Sequence, residues 1–267
     1  MSPQFADYPR YAWQLLQGDR SSSEATGAAW RTADIAPYLD LSRPRDILDL
    51  GNGRLRPQYS ILRAQGHRVI GIDLVNRPAS GWKDVAYVVA RRIYLHRLGL
   101  PVMTAAPAGL VCGHAGLLPF ADHTFDLVTS IAAFEHFLDV PAVLSEVARV
   151  LRPGGVIWAL VHLFTSPSGG HNLSFTEVPL QHIPPGVEPW DHLRSRRLPF
   201  NVPLNEWRAH QYLAEFGRHL EVLKQYCATR EGETWLNTPE AAELLQAGYT
   251  ADELTCCAYV IVARKAG

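Results

Sequence analysis

The sequence is short of cysteine, and the spacing of the few that it has excludes two classes of protein. Its 267 residues include 4 cysteines, and none of them forms a C-x-x-C pair. A secreted disulfide scaffold or a zinc ribbon would need paired or closely spaced cysteines. We therefore expect Cys112, Cys227, Cys256 and Cys257 to be buried, reduced thiols in a reducing compartment.

Charge is also scarce, and long apolar runs are missing. Charged residues make up 19% of the chain and the formal net charge is -1, so the basic surplus of a general nucleic-acid binder is absent. No apolar run approaches the ~20 residues of a membrane span, and the first residues lack a signal-peptide pattern. We expect a cytoplasmic protein with neither nucleic acid nor membrane as a partner.

Residues 46–73 contain the pattern strand, glycine turn, helix, strand. An apolar run from Ile47 ends at Gly51 and Gly53, and a second apolar run ends at Asp73. Glycines let the backbone pass close to a ligand, and an acid at the tip of the second strand is placed to accept both hydroxyls of a ribose. The pattern predicts a cofactor that contains a nucleoside.

Two details of this turn narrow the choice of cofactor. A dinucleotide fingerprint needs a third glycine where Arg56 stands, and Asp49 would repel a pyrophosphate but suits an ammonium group. The turn D-L-G-N-G resembles the D-x-G-x-G motif of class I S-adenosylmethionine (SAM) dependent methyltransferases. Asn52 and Leu55 depart from the residues that this family often has. A nicotinamide-dependent oxidoreductase remains a less favoured alternative.

Two further stretches carry the same resemblance. Residues 113–128, GHAGLLPFADHTFDLV, are similar to the pattern G-D-A-x-x-L-P-F-x-D-x-x-F-D-x-V of the type 11 methyltransferases, and residues 147–158, VARVLRPGGVIW, are similar to the segment before their fifth strand. In the family an Asp occupies the position of His114 and binds the adenine amino group. We therefore expect Gly113 and Ala115 to hold the adenine through backbone groups.

The resemblance implies an α/β fold: a seven-stranded, mostly parallel sheet with helices on both faces and an antiparallel last strand. An N-terminal helical lid segment is expected at 1–44, and the SAM-binding domain at 45–267, with a lid-like insert at about 163–204. The Gly154-Gly155 turn is expected to join a helix to the fifth strand. Asn205 is expected to be the N-cap of a helix that begins near residue 203.

Strand ends and loops supply the candidate site residues. Catalytic candidates are His136, His162, His171 and Glu135, since each follows a strand end or lies in the insert. The expected cofactor contacts are Asp49, Gly51, Asn52, Gly53, Asp73, Leu74, Gly113, His114, Ala115, Ser130 and Ala132. A histidine could deprotonate a hydroxyl, because its pKa lies near neutrality. A divalent metal such as Mg²⁺ on Glu135, His136, His162 and His171 is a second hypothesis.

These features predict a SAM-dependent methyltransferase that acts on a hydroxyl of a small molecule or a saccharide. Trp190, His192 and Trp207 could stack on a sugar ring or could pack the insert. The basic residues of 192–197 could face solvent, form salt bridges or contact an anionic substrate. A non-catalytic binding protein with the same fold is the alternative, and a homodimer is one expectation for the assembly.

Overall fold

The computed structural model describes residues 19–76, 82–100, 109–172, 179–183, 186–198, 200 and 202–267. Within these ranges the strands are β1 (Asp46–Leu50), β2 (Arg68–Ile72), β3 (Leu110–Val111), β4 (Phe125–Ile131), β5 (Leu151–His162), β6 (Glu221–Arg230) and β7 (Cys256–Arg264). The α-helices are α1 (Asp19–Ile35), α2 (Pro57–Ala64), α3 (Trp82–Arg97), α4 (Val140–Val150), α5 (Ala209–His219), α6 (Pro239–Gln246) and α7 (Ala251–Thr255). The first 18 residues of the predicted N-terminal lid segment lie outside the described residues.

All seven strands belong to one sheet with the order β3-β2-β1-β4-β5-β7-β6. β1, β2, β3, β4 and β5 are parallel, whereas β7 runs antiparallel to both of its neighbours. The order reverses at β1, which lies between β2 and β4. The carboxyl ends of these strands, at such a switch point, are where open α/β sheets bind ligands. The predicted fold class, including the antiparallel last strand, is confirmed.

Helices cover both faces of the sheet because its central strands are apolar on both sides. On one face α4 contributes Val143, Leu144 and Val147 to the larger core cluster, together with Tyr212 and Phe216 of α5. On the other face α1 and α2 pack against β1, β5 and β7. Burying an aliphatic side chain of this kind stabilises the fold by roughly 1.5–3 kcal/mol.

Helix α1 is fixed to the sheet by one buried carboxylate. Asp34 is 4% exposed and accepts hydrogen bonds from Trp158 Nε1 at 2.9 Å, Lys224 Nζ at 2.6 Å and Tyr226 Oη at 2.8 Å. These bonds and the ion pair with Lys224 hold the pKa of Asp34 below its ordinary value, although burial acts the other way. The C-terminal half of α1 is therefore packed against the sheet, with Ala28, Arg31 and Ile35 also buried.

Three local predictions are wrong. Asn205 is not an N-cap: α5 begins at Ala209, with Arg208 at the cap position. The fifth strand begins at Leu151, before the Gly154-Gly155 turn, and its pairing with β4 shifts register between Phe125 and Leu127. Cys112 is exposed rather than buried, although all four cysteines are free thiols.

No helix in the described ranges is both long enough and apolar enough to cross a lipid bilayer.

Candidate functional site

The glycine turn after β1 lies directly against the segment after β4. Gly51 adopts φ +75°, a conformation that other residues avoid, and its N–H donates to Ile72 O at 2.9 Å. A Cβ on Gly51 would lie 2.4 Å from Ala133 Cβ, whereas a Cβ on Gly53, with φ +63°, would meet no atom within 4 Å. Gly51 is thus needed for packing, and Gly53 leaves open space beside the turn.

Asp73 holds this turn through its carboxylate. Gly53 N donates to Asp73 Oδ2 at 2.8 Å, and Val75 N donates to Oδ1 at 2.9 Å. Each oxygen keeps further acceptor capacity, which ribose hydroxyls could use. Leu74 follows with its side chain 64% exposed, an unusual position for a large apolar group.

Asn52 is buried and makes its hydrogen bonds inside the protein. Its Nδ2 donates to Gly53 O at 2.8 Å, and its Oδ1 accepts from Asn76 Nδ2 at 2.8 Å. Asn76 also donates to Val111 O at 3.0 Å, so this amide pair joins the turn to β3. The side chain of Asn52 therefore stabilises the turn from the protein interior.

Asp49 lies beneath the turn, 3% exposed, and its Oδ2 is a buried acceptor with no hydrogen-bond partner among the described residues. Burial raises the pKa of Asp49 to about 7, and the positive charge of Arg31 only partly opposes this. Arg31 is itself fully buried, and its Nη1 donates to Gln58 Oε1. Its Nε and Nη2 have no partner among the described residues. A buried acid and a buried base thus share one end of the site.

Sequence reasoning missed Arg31, although a signal was present. Ala28, Arg31 and Ile35 follow the i, i+3, i+7 spacing of one helix face, and all three are buried. A cation within an otherwise apolar helix face indicates a buried partner or a ligand.

The remaining cofactor candidates lie at the ends of β3 and β4. His114 turns back on its own loop, where its Nδ1 accepts from Gly116 N at 3.1 Å, and Ala115 is buried. Gly113 contacts Ile72, since a Cβ there would be 3.0 Å from Ile72 Cδ1. Ser130 is fully buried, with an Oγ that has no partner among the described residues. Ala132 adopts φ +48° at the point where the chain leaves β4.

The four catalytic candidates come together beyond the ends of β4 and β5. Ligand atoms of Glu135, His162 and His171 all lie within 4.8 Å of one another. The ring of His171 lies between two others, with centroids 4.9 Å from His136 and 4.8 Å from His162. Glu135 and His136 thus meet His162 and His171, which lie 26 or more positions further along the chain. Three of the four residues of the metal hypothesis, Glu135, His162 and His171, have ligand atoms close enough to form one group.

Glu135 is the most buried member of this group. It is 1% exposed, and neither carboxylate oxygen accepts a hydrogen bond of normal geometry from the described residues. Burial raises its pKa to about 8, a change that the nearby N–H groups of Glu135 and His162 only partly oppose. Burial also lowers the pKa of His171 to about 3 and lowers that of His162. Both imidazoles are therefore neutral at pH 7.

The hydrogen bonds of His136 define which of its nitrogens can accept a proton. Its Nδ1 lies 3.0 Å from Pro203 O. A carbonyl oxygen only accepts, so Nδ1 carries the hydrogen and Nε2 keeps a free lone pair. The imidazole is partly exposed and is suited to accept a proton from a ligand.

Two residues that sequence reasoning missed orient His162. His162 Nε2 lies 2.7 Å from Ser168 Oγ, and Ser168 donates its hydroxyl hydrogen to Glu231 Oε1. The same carboxylate accepts from Ser168 N at 2.7 Å and from Leu180 N at 2.8 Å. Because Ser168 donates to Glu231, the hydrogen between His162 and Ser168 belongs to Nε2, and Nδ1 presents the lone pair.

Asn205 holds the turn that carries Glu135 and His136. Its Nδ2 donates to Phe134 O at 2.7 Å and to Phe137 O at 3.0 Å, and its N–H donates to Glu135 O at 2.9 Å. Its Oδ1 accepts from Tyr212 Oη at 2.8 Å. No sequence signal distinguished this role from that of a helix cap.

Most of the aromatic and basic residues of the insert are structural. Trp190 is fully buried and donates to Leu254 O at 2.9 Å, and His192 is buried with Nε2 at 2.7 Å from Phe164 O. Neither can stack on a sugar in this structure. Trp207 packs on Tyr212 with ring centroids 5.4 Å apart. The arginines of the basic stretch form salt bridges: Arg194 with Glu188 and Glu243, Arg196 with Glu206, and Arg197 with Glu188.

Part of the chain is similar to known methyltransferases. Residues 48–159 match the family model described as a methyltransferase domain. The chain is 27% identical over 196 residues to 24-methylenesterol C-methyltransferase 2 of Oryza sativa subsp. japonica, covering 69% of this chain and 50% of that protein. It is 30% identical over 182 residues to norajmaline N-methyltransferase of Rauvolfia serpentina, covering 60% and 57%. The chain thus spans about half the length of these relatives.

A solved structure shares the fold. A SAM-dependent methyltransferase from Methanosarcina mazei superposes with a TM-score of 0.51 at 17% identity, covering 87% of this chain and 96% of that one. The matched segment 48–159 contains the glycine turn, Asp73, Glu135 and His136. It does not contain Arg31, Ser168, Asn205 or Glu231.

Proposed function

We propose that this chain, whose residues 48–159 match the model of a methyltransferase domain, is a SAM-dependent methyltransferase that transfers the methyl group of SAM to a hydroxyl oxygen of a small molecule. The observation that carries the finer part of this proposal is the partly exposed imidazole of His136. Its Nδ1–H donates a hydrogen bond to Pro203 O. Nε2, at the carboxyl end of β4, therefore keeps the lone pair that can accept a proton.

The described residues fit SAM at both of its ends. The methionine part of SAM bears an ammonium and a carboxylate, which match the buried pair of Asp49 and Arg31 with their unpartnered atoms. The ribose hydroxyls match the carboxylate of Asp73, and Leu74 offers an exposed apolar surface for the adenine. The open space beside Gly53 leaves room for the backbone to approach the ligand.

The other side of the site supplies the groups that the transfer needs. SAM contributes a methyl group on a sulfonium, already a good electrophile, so the protein chiefly has to position the acceptor. The oxygen–carbon bond forms as the sulfur–carbon bond breaks, and the hydroxyl proton passes to Nε2 of His136. The close approach of Gly51 to Ala133 supports the proposal, because it joins the glycine turn to the segment that carries Glu135 and His136.

The segments on either side of the matched domain complete this proposal. α1 provides Arg31 to the cofactor end, and the insert at 163–204 provides His171 and Ser168 to the acceptor end. We propose that both segments enclose the substrates, as a lid does, and thereby exclude water from the reacting groups.

The test separates cofactor from acceptor chemistry. SAM, S-adenosylhomocysteine and NAD are titrated calorimetrically, and we expect binding of the first two only. Asp73→Ala should weaken SAM binding at least tenfold, whereas His96→Ala, an exposed histidine on α3, should not change it. Unchanged SAM affinity in Asp73→Ala would contradict the cofactor assignment.

Turnover is then followed as S-adenosylhomocysteine release with catechol, methyl glucoside and benzylamine. Oxygen transfer predicts products from catechol or the glucoside. It also predicts that His136→Ala lowers turnover about 10²–10⁴-fold with little change in SAM affinity. Turnover with benzylamine alone would favour a nitrogen acceptor. If His136→Ala keeps full activity, His136 is not the base.

A further inference from the structure

We infer that Glu135, His162 and His171 form a binding site for a divalent transition-metal ion, whose open coordination positions take the acceptor hydroxyl. The inference deepens the proposed function, because it names the group that would activate the acceptor at the same site. Two imidazoles and one carboxylate are a set that binds Zn²⁺, Fe²⁺ or Mn²⁺.

The first support is the separation of the ligand atoms. All three lie within 4.8 Å of one another. Around a tetrahedral zinc ion with bonds of about 2.0–2.2 Å the ligand atoms lie ~3.3–3.6 Å from one another, so side-chain movements of roughly 1–1.5 Å would close the set. The three residues come from different parts of the fold: Glu135 follows β4, His162 ends β5, and His171 lies in the insert.

The second support is the buried carboxylate of Glu135. The side chain is 1% exposed, and neither oxygen accepts a hydrogen bond of normal geometry from the described residues. A buried acid in this position destabilises the protein unless it is paired, is protonated or binds a cation. Imidazole nitrogens of His162 and His171 lie within 4.8 Å of this carboxylate and can complete a cation site with it.

The third support is the network behind His162. Metal-binding histidines commonly donate their second ring N–H to a carboxylate or another acceptor, which fixes the tautomer and the ring orientation. Here Nε2–H of His162 meets Ser168 Oγ, and Ser168 in turn is bonded to Glu231. The arrangement leaves Nδ1 as the metal-binding nitrogen of His162.

The donor set also changes which ion is expected. Mg²⁺ prefers oxygen ligands and keeps several waters, so two imidazoles argue against it. A first-row transition ion suits the set, and three protein ligands leave positions open for an acceptor hydroxyl. Such an ion would lower the pKa of that hydroxyl, as catalytic zinc does for water.

A rival group shares His162. Ligand atoms of His162, Glu231 and Cys257 also lie within 4.8 Å of one another. Glu231 already accepts three hydrogen bonds, from Ser168 N, Ser168 Oγ and Leu180 N, and Cys257 is buried. Burial raises the pKa of the Cys257 thiol well above its ordinary range, so the thiolate that a metal requires is disfavoured there.

The test uses Co²⁺ as a spectroscopic probe on the full chain after treatment with a chelator. We expect one equivalent of Co²⁺ to bind, with visible d–d absorption. Glu135→Gln and His171→Ala should each weaken Co²⁺ binding more than tenfold. Ser168→Ala should weaken it ~10–100-fold through the orientation of His162. His96→Ala is the matched control for loss of one histidine, and urea unfolding of each variant verifies that it is folded.

Each outcome decides the inference. Absence of saturable Co²⁺ binding, or binding that Glu135→Gln and His171→Ala leave unchanged, would overturn it. Thiolate-to-cobalt absorption that disappears in Cys257→Ser would also overturn it, because the ion would then occupy the rival group. SAM titrations of the same preparations keep the two proposals apart. SAM binding and chelator-resistant turnover without Co²⁺ binding refute only the metal, whereas Co²⁺ binding without SAM binding refutes only the proposed function.

Discussion

Replacement of Gly51 by alanine measures how tightly the glycine turn after β1 packs against the segment after β4. The new Cβ would lie 2.4 Å from Ala133 Cβ, and Gly51 has φ +75°. Carbon atoms that touch normally lie about 3.5–4.0 Å apart, so one of the two segments must move by more than ~1 Å. The substitution thus combines backbone strain with overpacking.

The two contributions can be separated because Gly53 has the same type of conformation without the contact. Its φ is +63°, and an added Cβ would meet no atom within 4 Å. A left-handed conformation costs an alanine about 1–2 kcal/mol, and overpacking adds about 1–3 kcal/mol. We expect Gly53→Ala to lower the free energy of unfolding by about 1–2 kcal/mol and Gly51→Ala by about 2–5 kcal/mol.

Urea unfolding, followed by circular dichroism without cofactor, gives both values from the midpoint and the slope. The difference between the variants is the decisive quantity, since the strain common to both cancels. Equal losses of stability would refute the claim that Gly51 is a packing position. A Gly53→Ala variant less stable than Gly51→Ala would show that the space beside Gly53 is filled in solution.

Three further predictions concern buried polar groups. Since burial raises the pKa of Asp49 from 3.8 to about 7, SAM affinity should fall about tenfold per pH unit below pH 7, and calorimetry should show that Asp49→Asn removes this dependence. By the same shift, the contribution of protonated Asp49 to the stability of the cofactor-free protein is present below about pH 4 and lost as the pH rises through 7. Asp34→Ala leaves three donors without their acceptor, so urea unfolding should show that it lowers the free energy of unfolding by about 3–5 kcal/mol. Lys224→Met, which removes only the more exposed partner of Asp34, should lower the free energy of unfolding by less than about 1 kcal/mol. Asn205→Ala should lower it by about 2–4 kcal/mol and should reduce turnover while SAM affinity, measured calorimetrically, stays unchanged.

The part of the fold around the glycine turn was predictable, because the residues that indicate it lie close together in the sequence. The glycines of the turn and the acid at Asp73 lie within one strand-helix-strand unit, whose backbone conformations select glycine directly. The strands β1 and β2 end at Leu50 and Ile72, directly before the Gly51 and Asp73 that end the two predicted apolar runs. Apolar runs that end at turn residues are enough to locate strands of this kind.

The roles of the residues beyond the ends of β4 and β5 were only partly predictable, because contacts between distant parts of the chain decide them. Glu135, His136, His162 and His171 could be named as polar residues near strand ends, but nothing in the sequence shows that they meet. Ser168 and Glu231 are 63 positions apart, and neither has a neighbouring motif. Asn205 resembles a helix cap in sequence and becomes a bridge to the turn after β4 only through tertiary packing. The sequence left open whether Trp190 stacks on a sugar or packs the insert, and the structure places it in a buried apolar cluster.

The bond from Asn205 to Phe134 joins positions 71 residues apart, and it has a consequence for the order in which the protein acquires function. During synthesis the sheet can assemble from β1 to β5 before Asn205 has been made, so the turn with Glu135 and His136 would lack its clamp at that stage. Contacts between distant positions form late, since a long loop must close first. The nascent chain could therefore form the glycine turn and the contacts of Asp73 while the turn that carries Glu135 and His136 is still incomplete. Changes in the later segment would then alter the surroundings of Glu135 and His136 and leave the glycine turn intact.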